Sequence, residues 1–224
     1  MTATEELKTE HRAIERMLAV LETAVARLER GEPVRPDLFR EAVDFVRNFA
    51  DECHHGKEED NLFPRLAERG VPREGGPLAV LMFEHDEGRA YVRAIAGAID
   101  DYESWDEQAA RIIVRNARGY VELLRGHIWK EENVLFPMAD EVLSAEDQTE
   151  MEERFERVET EVMGPGVHER YHALLDALEA AHDAEHYPWR RSVSWRRGWE
   201  SLKTISTTPI NTGVFSVTLA TSTI

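Results

Sequence analysis

The chain is poor in several things, and each scarcity narrows its function. Its 224 residues include one cysteine, Cys53, so no internal disulfide can form, which fits a reducing cytoplasm. No run of eighteen or more apolar residues occurs, so no membrane-spanning helix is expected. The opening residues MTATEELKTEHR lack a basic leader followed by an apolar run, so no secretory signal is expected. Basic side chains are scarce, 27 Lys and Arg against 44 Asp and Glu, for a formal charge of −17. Phosphate contacts need clustered Lys and Arg, which argues against a nucleic-acid partner. Flavin, haem and nicotinamide signatures are missing as well. What the chain does have is 42% apolar residues, enough for a sizeable core, and nine histidines, more than the composition needs.

The charge is not evenly spread. Residues 187–224 hold five basic residues (Arg190, Arg191, Arg196, Arg197, Lys203) and one acidic residue, Glu200. They also hold three of the five tryptophans and, from Ser201 on, a Ser/Thr-rich stretch. This tail reads as an irregular extension, with an anionic-surface docking segment as the alternative, and no function is placed there. Three parts follow: a bundle over 1–140, additional helices over 141–186 packed on it, and the tail 187–224.

The body reads as helices. Leu7, His11, Ile14, Leu18, Leu21, Val25 and Leu28 recur at steps of three and four, opened by a Thr2-x-x-Glu5 capping signal and closed by Gly31. A second helix opens at Pro36–Asp37 and carries Phe39, Val43, Val46, Ala50, His54 and Glu58 on one face. A third starts near Pro77, with Leu78, Leu81, His85, Gly88, Val92, Ile95 and Ile99. A fourth is expected from a Ser104-x-x-Glu107 box, with Ala109, Ile113, Asn116, Tyr120, Leu123, His127, Glu131 and Val134 on its seam. Two more follow, at 145–162 (Met151, Phe155, Val158, Val162) and 167–184 (Val167, Tyr171, Leu174, Leu178). No convincing period-two alternation precedes residue 187. The expected fold is all-α: an up-down four-helix bundle with one or two additional C-terminal helices and an irregular tail.

A weak repeat carries the chemistry. HHGKEEDNLFP at 54–64 aligns with HIWKEENVLFP at 127–137, pairing His54 with His127 and Glu58 with Glu131. Upstream lie Glu10-His11 and Glu84-His85, 43 and 42 residues before those histidines. The chain thus holds two helical hairpins, each with a lone histidine on its first helix and His-x-x-x-Glu on its second. An apolar seam rejects ionised Glu58 and Glu131 unless something neutralises them. Residues four apart on a helix stack on one face, so each His-x-x-x-Glu can grip adjacent positions of one centre. Imidazole with carboxylate suits iron, manganese or zinc, and two carboxylates among four imidazoles suggest two metals. The alternative is a set of buried His–Glu pairs without metal.

The pattern resembles the hemerythrin-like, or HHE cation-binding, family of four-helix-bundle non-haem di-iron proteins, over about residues 5–140. The HxxxKEExxLFP segments are the most specific part. The resemblance implies metal ligands at His11, His54, Glu58, His85, His127 and Glu131. It implies two irons bridged by the carboxylates and by an oxo or hydroxo group, with manganese or zinc as substitutes. One position departs: oxygen-carrying hemerythrins have a fifth histidine four residues after the third-helix ligand, where this chain has Arg89. An arginine cannot ligate. One metal is therefore expected to lack a third histidine, and Arg89 to pair with Glu15 or to hydrogen-bond a bound peroxide.

Neighbouring residues are weighed against the repeat. His55 and Glu59 face Ile128 and Glu132 in the second half, so His55 is expected beside the site or exposed, and Glu59 or Glu132 to orient a ligand histidine. Tyr120 either reaches the site or is core; Cys53 reads as a small buried thiol; Gly88 leaves room for a ligand or for helix packing. His168, His172, His182 and His186 form a stripe read as polar-face residues rather than a second metal site. The expected function is a di-iron protein that binds or reacts with a small ligand (O2, NO or H2O2), either as a carrier, sensor or store, or as an oxidoreductase. Nitric oxide reduction would need an outside electron donor, whereas peroxide disproportionation needs none.

Overall fold

The computed structural model describes residues 2–183 apart from 165, all within the first of two compact units, Met1–Val193. The side chains of 181–183, His186 and the tail 187–224 lie outside the described residues. Among those described there is no strand. Six helices follow in order: α1 Ala3–Glu29, α2 at 36–68, α3 Pro77–Glu103, α4 at 107–142, α5 at 145–163 and α6 Val167–Asp183. None is long and apolar enough to cross a membrane.

Helix α1 starts as its sequence dictates. Thr2 accepts a hydrogen bond from the Glu5 amide while the Glu5 carboxylate takes the Thr2 amide. The chain leaves α1 through Gly31 at φ +75°, a left-handed conformation that glycine adopts freely. All seven predicted seam residues of α1 are buried, as are those of α3. Helix α4 begins differently from expectation. Asp106, not Ser104, caps it, accepting from the amides of Gln108 and Ala109, while Ser104 ends α3. The chain turns between them at Trp105, whose φ is +71°.

Around the ring, α1 packs on α2, α2 on α3, α3 on α4 and α4 back on α1, which is the up-down four-helix arrangement. The α3–α4 pair closes tightly at Gly119, where a Cβ would stand 2.6 Å from the Tyr91 ring. Helices α5 and α6 lie against α1 and α2. Helix α5 opens with a Ser144–Asp147 capping box. Asp147 also accepts from Arg65 of α2 and from Arg69 just past its end, at 3.0 and 2.7 Å, and Met151 and Phe155 are fully buried. Each such side chain contributes about 1.5–3 kcal/mol of apolar burial. Val162 is exposed, and on α6 Tyr171, Leu175 and Leu178 are buried where Leu174 was expected.

Helices α2 and α4 are not α-helical throughout. Val46–His55 and Glu58–Leu62 of α2, and Glu131–Leu135 of α4, wind as π-helix. Pro64 and Pro137 follow the last two stretches, and a proline inside a helix removes an amide donor and crowds the carbonyl four residues back. Wider winding accommodates both effects. It also shifts the face: on α4 Leu135 is buried and Val134, the expected seam residue, is 42% exposed. The apolar cluster beneath includes Leu62, Phe63, Leu135 and Phe136, the two LF pairs of the repeat, with Leu7, Leu78, Met151 and Phe155.

Candidate metal centre

The six residues singled out by the repeat come together in the bundle core, each no more than 1% exposed. Their arrangement is two-sided, with each carboxylate between histidines of opposite hairpins. Glu131 places one oxygen 3.2 Å from His11 Nε2 and the other 3.0 Å from His127 Nε2. Glu58 places one oxygen 3.7 Å from His54 Nε2 and the other 3.5 Å from His85 Nε2. Each carboxylate therefore spans from the His11–His54 side to the His85–His127 side.

Every one of the four histidines has its other ring nitrogen tied to a carboxylate. Nδ1 of His54 lies 2.7 Å from Glu10 and that of His127 lies 3.0 Å from Glu84, each within its own hairpin. Nδ1 of His11 lies 3.0 Å from Glu132 and that of His85 lies 2.6 Å from Glu59, each across to the other hairpin. A carboxylate on Nδ1 fixes the tautomer and turns Nε2 inward, the arrangement that orients metal-ligating histidines. The expectation that Glu59 and Glu132 orient a histidine agrees with this geometry.

The repeated motif becomes readable position by position. Its lysines hold the orienting glutamates: Lys57 donates to Glu10 at 2.6 Å, and Lys130 pairs with Glu84. The first glutamate of KEE enters the centre and the second crosses to the other hairpin's histidine. The phenylalanine stacks on that same histidine, Phe136 on His11 at 5.5 Å and Phe63 on His85 at 5.9 Å.

Burial and neighbouring charges pull the titratable groups of the cluster in opposite directions. Burial, together with the facing Glu131 charge, pushes the Glu58 carboxyl well above its ordinary range. Glu131 is held well below that range despite its burial, by His127 and His11. Burial pulls His54 down to about 4, whereas His127, buried as well, is raised to about 9 by Glu131 and Glu84. Both oxygens of Glu58 and of Glu131, and Nε2 of His11, are buried without a hydrogen-bond partner. Buried polar atoms are rarely left so. A donor set of imidazole nitrogens and carboxylate oxygens with unsatisfied lone pairs fits two cations.

Two groups of donors each lie within 4.8 Å of one another: His11, His54, Glu58 and Glu131, and His55, Glu58, His85 and His127. Of the two places expected for His55, beside the site or exposed, the structure has the first. It is 4% exposed and stacks on His85 at 3.8 Å. The repeat comparison left this open because its counterpart is the apolar Ile128. Arg89 departs from expectation. It pairs with Asp51 at 2.8 Å and Glu59 at 2.7 Å, whereas Glu15 pairs with Arg12. In a third donor group, Glu10, Glu159 and His168, both carboxylates already hold a lysine. The ammonium of Lys57 lies 2.6–2.7 Å from Glu6, Glu10 and Glu159. His168 and His172 stack on each other at 4.9 Å, with His168 edge-on to Phe49 at 5.1 Å. His182 and His186 lie outside the described side chains.

A cavity of about 270 Å3 between α2, α3 and α4 reaches this core. Asp51, His55, Gly88, Arg89, Val92 and Tyr120 are among its walls. A Cβ on Gly88 would meet Tyr120 at 3.5 Å, ordinary contact, so the glycine widens the cavity rather than relieving a clash. The Tyr120 hydroxyl is buried without a partner, and burial pushes its pKa up, so it stays a neutral donor.

Comparison with known proteins agrees with this picture. A model of the hemerythrin HHE cation binding domain matches residues 2–139. An uncharacterized protein of Mycobacterium tuberculosis (strain ATCC 25618 / H37Rv) is 26% identical over 156 residues, 70% of this chain and 60% of that protein. The iron-sulfur cluster repair protein YtfE of Dickeya chrysanthemi is 27% identical over 131 residues, 58% of this chain and 59% of that protein. The YtfE of Salmonella schwarzengrund is 29% identical over 118 residues, 50% of this chain and 53% of that protein. The chain thus spans about 60% of the first of these relatives. No solved structure gives a significant match.

Proposed function

The chain belongs to the hemerythrin HHE cation binding domain family, and on that premise we propose that its bundle core holds two iron ions and binds or transforms a small ligand, O2, NO or H2O2, there. The residues that would hold them are His11, His54, Glu58, His85, His127 and Glu131, the two glutamates each standing between histidines of opposite hairpins. The observation that carries it is the pair of buried carboxylates whose four oxygens lack hydrogen-bond partners, each set between histidines of opposite hairpins. Two irons so held would supply paired Lewis-acid, redox-active centres for the small molecule.

The chain's own residues do the rest. Glu10, Glu59, Glu84 and Glu132 face the Nδ1 atoms and so turn each Nε2 towards the two bridging-position carboxylates. The cavity walled by Gly88 and Val92 admits a molecule of a few atoms, and the Tyr120 hydroxyl offers it a hydrogen bond. Phe63 and Phe136 close the opposite side and exclude water. Reduction of nitric oxide would require an outside electron donor, whereas peroxide disproportionation is self-sufficient, which makes it the simplest turnover. A second reading, iron handling without turnover, draws on the relatives named for iron-sulfur cluster repair. The single buried thiol and the acidic surface suit a cytoplasmic protein with no nucleic-acid partner.

Iron analysis of the purified chain is expected to give about two irons per molecule, and a metal-free chain after anaerobic iron loading sinks the reading. Oxygen evolution from peroxide by the loaded protein, lost in Glu58→Ala, separates turnover from handling.

A further inference from the structure

We propose that His55 is a ligand of the metal on the His85–His127 side, so that the two metal positions are unequal: three imidazoles serve one and two serve the other. The inference rests on the di-iron reading above and adds a residue that the repeat does not supply.

His55 is built in the same way as the four histidines of the centre. Its Nδ1 lies 3.3 Å from the Asp51 carboxylate, one helical turn back, and its Nε2 is buried without a partner. Asp51 is itself fixed by the Arg89 guanidinium at 2.8 Å. The same guanidinium reaches Glu59, which holds His85 Nδ1. One cation therefore positions the carboxylates behind two neighbouring imidazoles. The His55 ring stacks on His85 with 14° between planes and stands 5.8 Å from His127. Metal bonds of about 2.0–2.2 Å place any two donors of one ion within about 4.4 Å of each other. A donor set spanning no more than 4.8 Å closes on an ion with small side-chain shifts. A histidine kept only for packing would need a partner for Nε2, and the structure provides none. The His11–His54 side has no such extra imidazole in its donor group.

His55 also lines the cavity, which makes the test reversible. Wild type, His55→Gly and His55→Gln are loaded with iron-57, and metal content, affinity and Mössbauer spectra are recorded, with circular dichroism to verify the helix. The expected result is two distinct, equally weighted quadrupole doublets in wild type. In His55→Gly, one iron binds at least about 10-fold more weakly and its doublet changes. Free imidazole entering the cavity restores both. His55→Gln, which keeps the side-chain bulk, gives the same loss without rescue and serves if the glycine variant does not fold. Two irons in wild type and in both variants, with equal affinity and identical doublets, overturn the inference while leaving the di-iron reading intact. Fewer than two irons in wild type overturn both.

Discussion

The two lysines of the repeated motif offer a quantitative test of how far the internal symmetry extends. Lys57 and Lys130 occupy equivalent positions and each holds the glutamate behind a histidine, yet their surroundings differ. Lys57 is fully buried, among Glu6, Glu10 and Glu159 and 5.4 Å from the Phe155 ring centre. Lys130 is 34% exposed and pairs with Glu84 alone. Removing one partner of a buried ion pair costs about 3–5 kcal/mol, because the charge left behind remains desolvated. A surface pair contributes about 0–1 kcal/mol. For a chain of this size 1 kcal/mol is about 2–4 °C. Lys57→Met should therefore lower the unfolding midpoint of the metal-free protein by about 6–20 °C, and Lys130→Met by no more than about 4 °C. The pH dependence has a definite sign. Although burial opposes it, Glu10 is held down at about 2 by His54 and Lys57. Its contribution is present above the ordinary carboxylate pKa and is lost as pH falls towards 2. In Lys57→Met the stranded carboxylates protonate more readily, so the gap to wild type is widest near pH 7 and narrows on acidification towards pH 4. Thermal melts of the three proteins at several pH values measure this. Equal, small shifts for both lysines would refute the reasoning, since they would mean that covering by α5 does not change the energetics of the cluster.

Three further outcomes are expected. Glu59→Gln or Glu132→Gln removes the carboxylate behind His85 or His11, and metal affinity should fall about 10–100-fold with helix content unchanged; titration with a competing chelator reads it. Cys53, 1% exposed and pushed up to about 12 mainly by burial, should resist alkylation at pH 8 in the folded protein and react at once in denaturant. Gly88→Leu fills the cavity and should slow small-ligand association by stopped flow while leaving iron content at the wild-type level; an unchanged rate means the ligand enters elsewhere.

The fold and most of the centre were legible in the sequence for the same reason: buried polar residues recurring in register with an apolar seam are costly, so they stand out. The seams of α1 and α3 needed only periodicity. What was hidden had no periodic signature. The π-winding that buries Leu135 in place of Val134 lies just ahead of Pro137, and the apolar periodicity alone does not encode it. Asp106 displaces Ser104 as a cap because Trp105 adopts a positive φ, a conformation not expected of a tryptophan. His55 was narrowed only to beside the site or exposed, because the comparison of the two halves rewards what is shared and discards what differs. Lys57 and Glu10 were visible as letters of the repeat, but their role needs tertiary contact: the Glu10 carboxylate serves a histidine 44 residues away.

The departures from symmetry are not scattered but fall on two sides of the core. On the α1–α2 side, α5 covers Lys57, and its Glu159 joins the cluster of carboxylates, which buries the support of His54. On the α2–α3 side, Asp51, His55 and Arg89 border a cavity instead of an added helix. The first change lowers the dielectric around an orienting ion pair and makes it rigid. The second puts a fifth imidazole on the wall of that cavity. A duplicated hairpin alone would hold two equivalent metals equally far from solvent. These two changes give the centre one sealed side and one approachable side, and that difference is what a site needs if ligand is to enter from one direction while the opposite histidines stay fixed.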